Sequence, residues 1–284
     1  MEDYESAWDQ LQKLSPRLLT YENRAMYSTW NVSYASIQRI SMSAAMLLRL
    51  WAFFANEDLW FELLRESRDN GRMWLQDLTA NRLAFDEGMR VLCNHGLVEA
   101  HSILSLYGAE SNGYSVHGCV HSWMVFVLND QTESSLATLA MECTSRHVPG
   151  QDIPEYWAIQ RRLLPHANRC QQILSMSENG GSYTSVPASL GLLYADQGRL
   201  KDAEAMYRRA LDGYEKALGS HQLTTYIPAL NTLENFGMLC MSVGRREEAL
   251  LYLCKARDGV EGVWGPNCQR CERISIKIAE CTHV

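Results

Sequence analysis

Apolar residues recur along this chain at spacings of three and four, the period of an amphipathic helix, and no long stretch alternates apolar and polar positions between hairpin signals. Leu11, Leu14, Leu18 and Leu19 mark one such stripe. Ala44, Leu47, Leu48, Trp51 and Ala52 mark another, with Ser43 placed to cap its start. The pattern predicts a short helix over 58–64, a loop over 67–71 and a helix over 82–94 carrying Leu83, Phe85, Met89 and Leu92. That helix ends at Asn94-His95-Gly96, a sequence suited to a C-cap. Residues 97–99 and 113–116 are short extended candidates on either side of a polar loop, and a helix returns over 119–129. The order of helix, helix and small hairpin reads as a winged-helix module. Beyond about residue 131 helix follows helix: 134–145, 155–175 and, at the far end, 267–281. Trp51, Phe53, Phe54, Trp60 and Phe61 form a dense aromatic group assigned to the core of the first region.

The last third of the chain repeats itself. Leu190-Gly191, Gly198, Ala203, Ala210, Gly213 and Leu218-Gly219 return as Phe236-Gly237, Gly244, Ala249, Ala256, Gly259 and Trp264-Gly265, every pair 46 positions apart. With Tyr194 and Tyr207 in place, the spacing is that of a tetratricopeptide helix pair. Glycine at 191 and 237 and alanine at 203 and 249 are the small residues that two crossing helices require. Gly198 and Gly244 fall where a left-handed residue ends the first helix of each pair. A single pair cannot bury its own apolar stripe, so flanking helices at 155–175 and 267–281 are expected to complete a short stack of three or four hairpins. The fold class is therefore mainly α: a helical and winged-helix N-terminal region, then a short tetratricopeptide-type superhelix.

The stretch 190–219, LGLLYADQGRLKDAEAMYRRALDGYEKALG, resembles the kinesin-light-chain-type repeats of fungal NLR-like proteins, which carry an NB-ARC or NACHT ATPase module ahead of a tetratricopeptide array. Residues 27–37 and 44–64 resemble the helical part that follows the ATPase core, 74–99 with 113–129 resemble the winged-helix subdomain, and 156–170 resemble the linker helix. The resemblance implies three regions: a helical one over 1–66, a winged-helix-like one over 67–130 and a repeat domain over 131–284. Val116-His117-Gly118 stands where the family has Met-His-Asp, whose histidine reaches the β-phosphate of bound ADP. It thus marks His117 as a nucleotide-sensing remnant, with both flanking residues replaced. No Walker motif occurs and no glycine is followed by lysine, so the backbone nest that cradles phosphates is missing and tight ATP binding or hydrolysis is not expected. The match begins part-way through the family architecture, which implies a truncated gene product or association with a P-loop ATPase in trans.

Composition narrows the classes. The 284 residues are 46% apolar and carry a formal charge of −7. An acidic surface does not suit a phosphate backbone, and no apolar run spans a membrane, so neither nucleic acid nor membrane is an expected partner. The N-terminus lacks the charged-then-apolar order of a signal peptide, and nine cysteines form no regular framework, which points to reduced thiols in the cytoplasm. Cys268-x-x-Cys271 with Cys281 and His283, and His117 with Cys119 and His121, are the metal-like spacings; helix packing accounts for the first and the second shares no helix face, so no metal or cofactor is expected. No nucleophile or metalloprotease signature occurs. The function expected is non-enzymatic: a groove lined by the first helix of each pair, with Tyr194, Tyr207, Arg208, Asn231 and Asn235 shaping it, binds a peptide or protein partner. A stand-alone tetratricopeptide scaffold is the alternative.

Overall fold

The computed structural model describes residues 21–67, 71–104, 110–129, 134–176 and 185–282. Among them are thirteen α-helices and one two-stranded sheet, so the chain is mainly α. The expected stripe at Leu11–Leu19 lies outside the described residues. The chain divides into two compact units, Met1–Cys143 and Thr144–Val284.

The first unit opens with α1 (Tyr21–Ile40) and α2 (Met42–Trp51). Ser41, not Ser43, caps α2: its side chain accepts the Ala44 N–H at 3.2 Å from an extended backbone, while Ser43 already lies within the first turn. The helix expected from 58 begins only at Phe61, as α3 (Phe61–Arg65), because Leu59 is held by Tyr114 through two backbone hydrogen bonds of 2.8 and 2.9 Å. Then follow α4 (Met73–Leu78) and α5 (Arg82–Asn94), the latter capped by Asn81 on the Ala84 N–H at 2.9 Å. Gly96 takes φ 67°, and the Leu97 N–H still bonds back to the Leu92 carbonyl. The extended run therefore starts two residues later than expected, as β1 (Glu99–Leu104), antiparallel to β2 (Glu110–Ser115) with Glu99 opposite Ser115. Helix α6 (Gly118–Trp123) passes into a π-helical turn over Met124–Leu128. The Asn129 amide closes that turn on the Met124 and Arg49 carbonyls, at 2.9 and 3.2 Å.

Trp51, Phe54, Phe85 and Trp123 are fully buried at the centre of this unit, and Trp60 and Phe61 are buried beside them; Phe53 of the expected group is only half-buried. Phe85 meets both Phe61 and Tyr114 at ring separations of 5.5 and 5.8 Å. The hairpin is thus pinned to α5 by aromatic contact as well as by the Leu59 bridge.

Helix α7 (Ser134–Arg146) carries the chain into the second unit, which continues with α8 (Tyr156–Met176), α9 (Ser185–Asp196), α10 (Leu200–Leu223), α11 (Ile227–Ser242), α12 (Arg246–Trp264) and α13 (Gln269–Thr282). Each helix from α9 to α13 packs against the next, and α9 also packs on α8. The 46-residue offset is reproduced bond for bond. Gly198 and Gly244 take φ 72° and 79°; the Arg199 N–H reaches the Tyr194 carbonyl at 2.8 Å, and the Arg245 N–H reaches the Cys240 carbonyl at 2.9 Å. Gly219 and Gly265 share φ near 80° and ψ near 160°: at Gly265 α12 ends, and at the equivalent Gly219 α10 breaks in a kink before its last residues to Leu223. The buried amide of Gln160 in α8 donates to Asp196 at 2.7 Å and to the Pro149 carbonyl at 3.2 Å, which fixes α8 against the end of α9.

Candidate functional site

Two crossings set the shape of the repeat unit. A Cβ on Gly191 would lie 2.6 Å from the Tyr207 ring, and one on Gly237 would lie 2.7 Å from Leu253 Cγ. Tyr207 and Leu253 are themselves 46 positions apart, so one residue of the second helix sits on one glycine of the first in both pairs. Ala203, Ala210, Ala249 and Ala256 are fully buried along the same lines. The small residues bring the helices close, and the large ones then fill what remains.

Between α10, α11 and α12 this packing leaves a cavity of about 630 Å³. Its floor is Phe236 stacked on Tyr252, ring centroids 4.4 Å apart and 25° from parallel. Leu211, Leu223 and Leu233 line it further, and Asp212, Glu215, Lys255 and Asp258 stand around it with Arg208. The Arg208 guanidinium lies 5.2 Å over the Phe236 ring. It is held there by Glu204 at 2.8 Å and Glu248 at 3.3 Å, and Glu204 in turn receives Arg245 at 2.6 Å. Hydrogen bonds from Arg245 and then Arg208 hold the Glu204 carboxyl down at about 2. Burial pushes the Tyr252 phenol above its ordinary range. The cavity thus offers an aromatic floor and a rim of both charges, with no histidine or cysteine among the residues that line it.

Of the five groove residues expected from sequence, Arg208 lines this cavity. Tyr194 and Tyr207 are buried in the core, at 0% and 1% exposure, and shape the face from within instead of meeting a partner. Tyr194 donates through its hydroxyl to Asn168 and Gln171 at 3.2 and 3.1 Å and carries Arg199 over its ring at 4.6 Å. Asn231 is exposed on α11 and accepts from Arg270 at 2.7 Å; Asn235 is half-buried one turn further on. The cavity is lined by the second helices of both pairs, α10 and α12, together with Leu233 and Phe236 of the first helix α11. A signal for it was present: Arg208, Leu211, Asp212 and Glu215 follow the i, i+3, i+4, i+7 stripe of one face of α10, and Tyr252, Lys255 and Gly259 follow the same stripe in α12.

In the first unit, His117 borders a separate cleft of about 550 Å³ with Asn56, Glu57, Asp58, Glu99 and His101. His117 caps α6, its Nδ1 accepting the Cys119 N–H at 3.3 Å. Three carboxylates in the same cleft oppose a phosphate, so the surroundings do not favour the anion that the resemblance implies for this histidine. His121 does not join it: its ring is buried and bonds the Phe54 carbonyl at 3.0 Å.

These features define a mainly α, helical-repeat fold. A family model for the tetratricopeptide repeat matches residues 188–222, which are most of α9 and all but the last residue of α10. No curated protein matches the chain. None of the described helices is long and apolar enough to cross a membrane.

Proposed function

We propose that the protein is a non-enzymatic interaction module whose second unit takes an extended segment of a protein partner at the cavity between α10 and α12. The observation that carries this reading is the Phe236–Tyr252 stack, which floors a cavity inside a repeat unit whose first pair matches the tetratricopeptide model. An apolar side chain of the segment packs against the half-buried Tyr252 and Leu211, with Phe236 supporting Tyr252 from beneath, and the mixed rim orients its polar neighbours. Full-length protein probed against a peptide array tests this. Lys255→Glu and Asp258→Lys, both at exposed positions of the rim, should each weaken the selected peptides about tenfold with an unchanged thermal midpoint. Equal binding by both variants removes the cavity from the proposal.

The role assigned to that module is the one the sequence resemblance implies: a partial NLR-like regulatory protein that works with a P-loop ATPase in trans. Support comes from the first unit, where helix α2, the Leu59 bridge, helices α3 to α5 and the β1–β2 hairpin follow one another in the order of a winged helix. Co-purification decides between this role and a stand-alone scaffold. A bound P-loop ATPase supports the first, and a stable partner of any other class supports the second.

A further inference from the structure

The turn between α12 and α13 brings two thiols together. Cys268 immediately precedes α13 and is partly exposed, whereas Cys271 lies in the first turn and is buried. Their sulfurs are 3.0 Å apart, and the Cys268 sulfur also accepts the Cys271 backbone N–H at 3.2 Å. The Cys271 thiol has a second contact, with the Gly265 carbonyl at 3.4 Å, where α12 ends in its left-handed glycine. Arg270 stands between the two cysteines. It is anchored to α11 through Glu234 at 2.9 Å and Asn231 at 2.7 Å, so the turn that carries the thiols is fixed against its neighbour. The first-turn amides of a helix and a nearby guanidinium both favour a negative sulfur.

We propose that Cys268 and Cys271 form a thiol–disulfide exchange site whose co-substrate is a small-molecule disulfide of the glutathione class. Cys268, the outer sulfur, attacks as the thiolate. A bond forms between it and one sulfur of glutathione disulfide while the S–S bond of that molecule breaks, and one glutathione thiolate leaves. Cys271 then gives its proton to water and attacks the Cys268 sulfur. The Cys268–Cys271 bond forms, the mixed disulfide breaks, and the second glutathione thiolate departs. Two electrons pass from the protein dithiol to the small disulfide, and excess reduced glutathione runs the sequence backwards. The sulfurs need approach by only about 1 Å to reach bonding distance.

The charges agree with that division of labour. The Cys271 thiol, the amides of Cys271 and Arg270, and the Arg270 guanidinium hold the Cys268 thiol below its ordinary value. The hydrogen bond with Cys268 pushes Cys271 up to about 11. Burial pushes the Cys93, Cys170, Cys240 and Cys281 thiols the other way from Cys268.

The chain supplies its own readout, because trypsin cuts after Arg270, between the two cysteines. Full-length protein is equilibrated with defined ratios of reduced and oxidised glutathione, blocked with iodoacetamide, digested and mapped by mass spectrometry. The peptides 258–270 and 271–273 are expected to emerge joined, and to separate on reduction. At pH 7 Cys268 should alkylate measurably faster than Cys254, because lowering a thiol's pKa raises its thiolate fraction more than it weakens the thiolate's nucleophilicity. Cys271→Ser should stop the reaction at glutathione-capped Cys268, a product that forms whether or not the second step is fast in the native chain. Three results overturn the proposal: glutathione-capped Cys268 accumulating in the native chain, Cys268 alkylating no faster than Cys254, or stoichiometric zinc that protects both thiols in the purified protein.

Discussion

In the helix pair α9–α10 the residue lying over the crossing glycine is Tyr207, whereas its counterpart 46 positions on, in α11–α12, is Leu253. The exchange is not isolated. Tyr194 becomes Cys240, Leu190 becomes Phe236, and Tyr214 becomes Val260, and all of these residues are buried. Meanwhile the glycines at the crossing, at the end of the first helix and near the end of the second are the same in both pairs, and so are the alanines. The two pairs therefore share a backbone specified by where side chains must be absent, and each fills it with a different set of large ones. Aromatic volume that sits at 194 and 207 in the first pair has moved to 236 and 252 in the second. That move keeps Phe236 in the core and stacks on it the half-buried Tyr252, which reaches the cavity.

The largest test of this comparison is truncation of the two crossing residues. Tyr207→Ala should cost about 3–5 kcal/mol, and Leu253→Ala about 2–4, since each leaves a void lined by atoms held in place by neighbouring helices. The chain holds two units, so the loss should be read locally, by hydrogen exchange at the amides of α9 to α12. A larger loss at Leu253 than at Tyr207 would break the view that the first pair rests on its tyrosine.

A smaller effect distinguishes a rigid neighbour from one that can move. Gly191→Ala drives a methyl into the flat face of the Tyr207 ring, whereas Gly237→Ala meets the branch point of Leu253. Overpacking of this kind costs about 1–3 kcal/mol, reduced by the roughly 1 kcal/mol that alanine gains over glycine in a helix. Gly191→Ala should be the more costly, and Tyr207→Leu added to it should recover about 1 kcal/mol, because a leucine side chain can shift away from the new methyl where the flat ring cannot. If the double variant is simply the sum of the two singles, glycine and tyrosine are not coupled.

The same contrast explains how much could be read without coordinates. Backbone requirements leave their mark on residue identity: a left-handed C-cap asks for glycine at 198 and 244, and a close crossing asks for glycine or alanine, so the 46-residue offset was visible in the letters. Helix boundaries decided by local competition were less visible. Ser41 and Ser43 are equally good caps in isolation, and the structure uses Ser41, whose extended backbone falls directly after α1. Leu59 has helical neighbours in sequence but is claimed by Tyr114, a residue 55 positions away. The groove was the least legible part. Tyr194 and Tyr207 carry the bulk expected of a binding surface, yet nothing in a single helix pair tells whether a large ring faces its partner helix or the outside. The cavity depends on three helices meeting, and its stripe on α10 gains meaning only when the matching stripe on α12 is set opposite.

The smallest predicted effect concerns the arginine that opens the second helix of each pair. Arg199 reaches the neutral Asn168 side chain at 2.6 Å, whereas Arg245 reaches the Glu204 carboxylate at 2.6 Å, with Arg208 on the same carboxyl. Each arginine also meets the carboxylate three residues on, Asp202 at 2.8 Å and Glu248 at 3.3 Å, so what the second arrangement adds is a second carboxylate, Glu204, from the neighbouring pair. The carboxyl of Glu204 is lowered from 4.5 to about 2 in the folded protein. The folded state thus holds the charged form more tightly than the unfolded chain does. Its contribution is fully present above about pH 4.5 and is lost as pH falls toward 2. The Glu204 side chain is 27% exposed and that of Arg245 is 33% exposed, so solvent screens the network and about 1 kcal/mol is the expected size. Glu204→Gln should remove that amount at pH 7 and flatten the acid limb of the local stability curve for α10 to α12. Asn168→Ala should lower stability near α9 by a similar amount without changing that limb. An acid limb left intact in Glu204→Gln would mean that the second pair is tied to the first by its packing alone, with the charge network contributing nothing measurable.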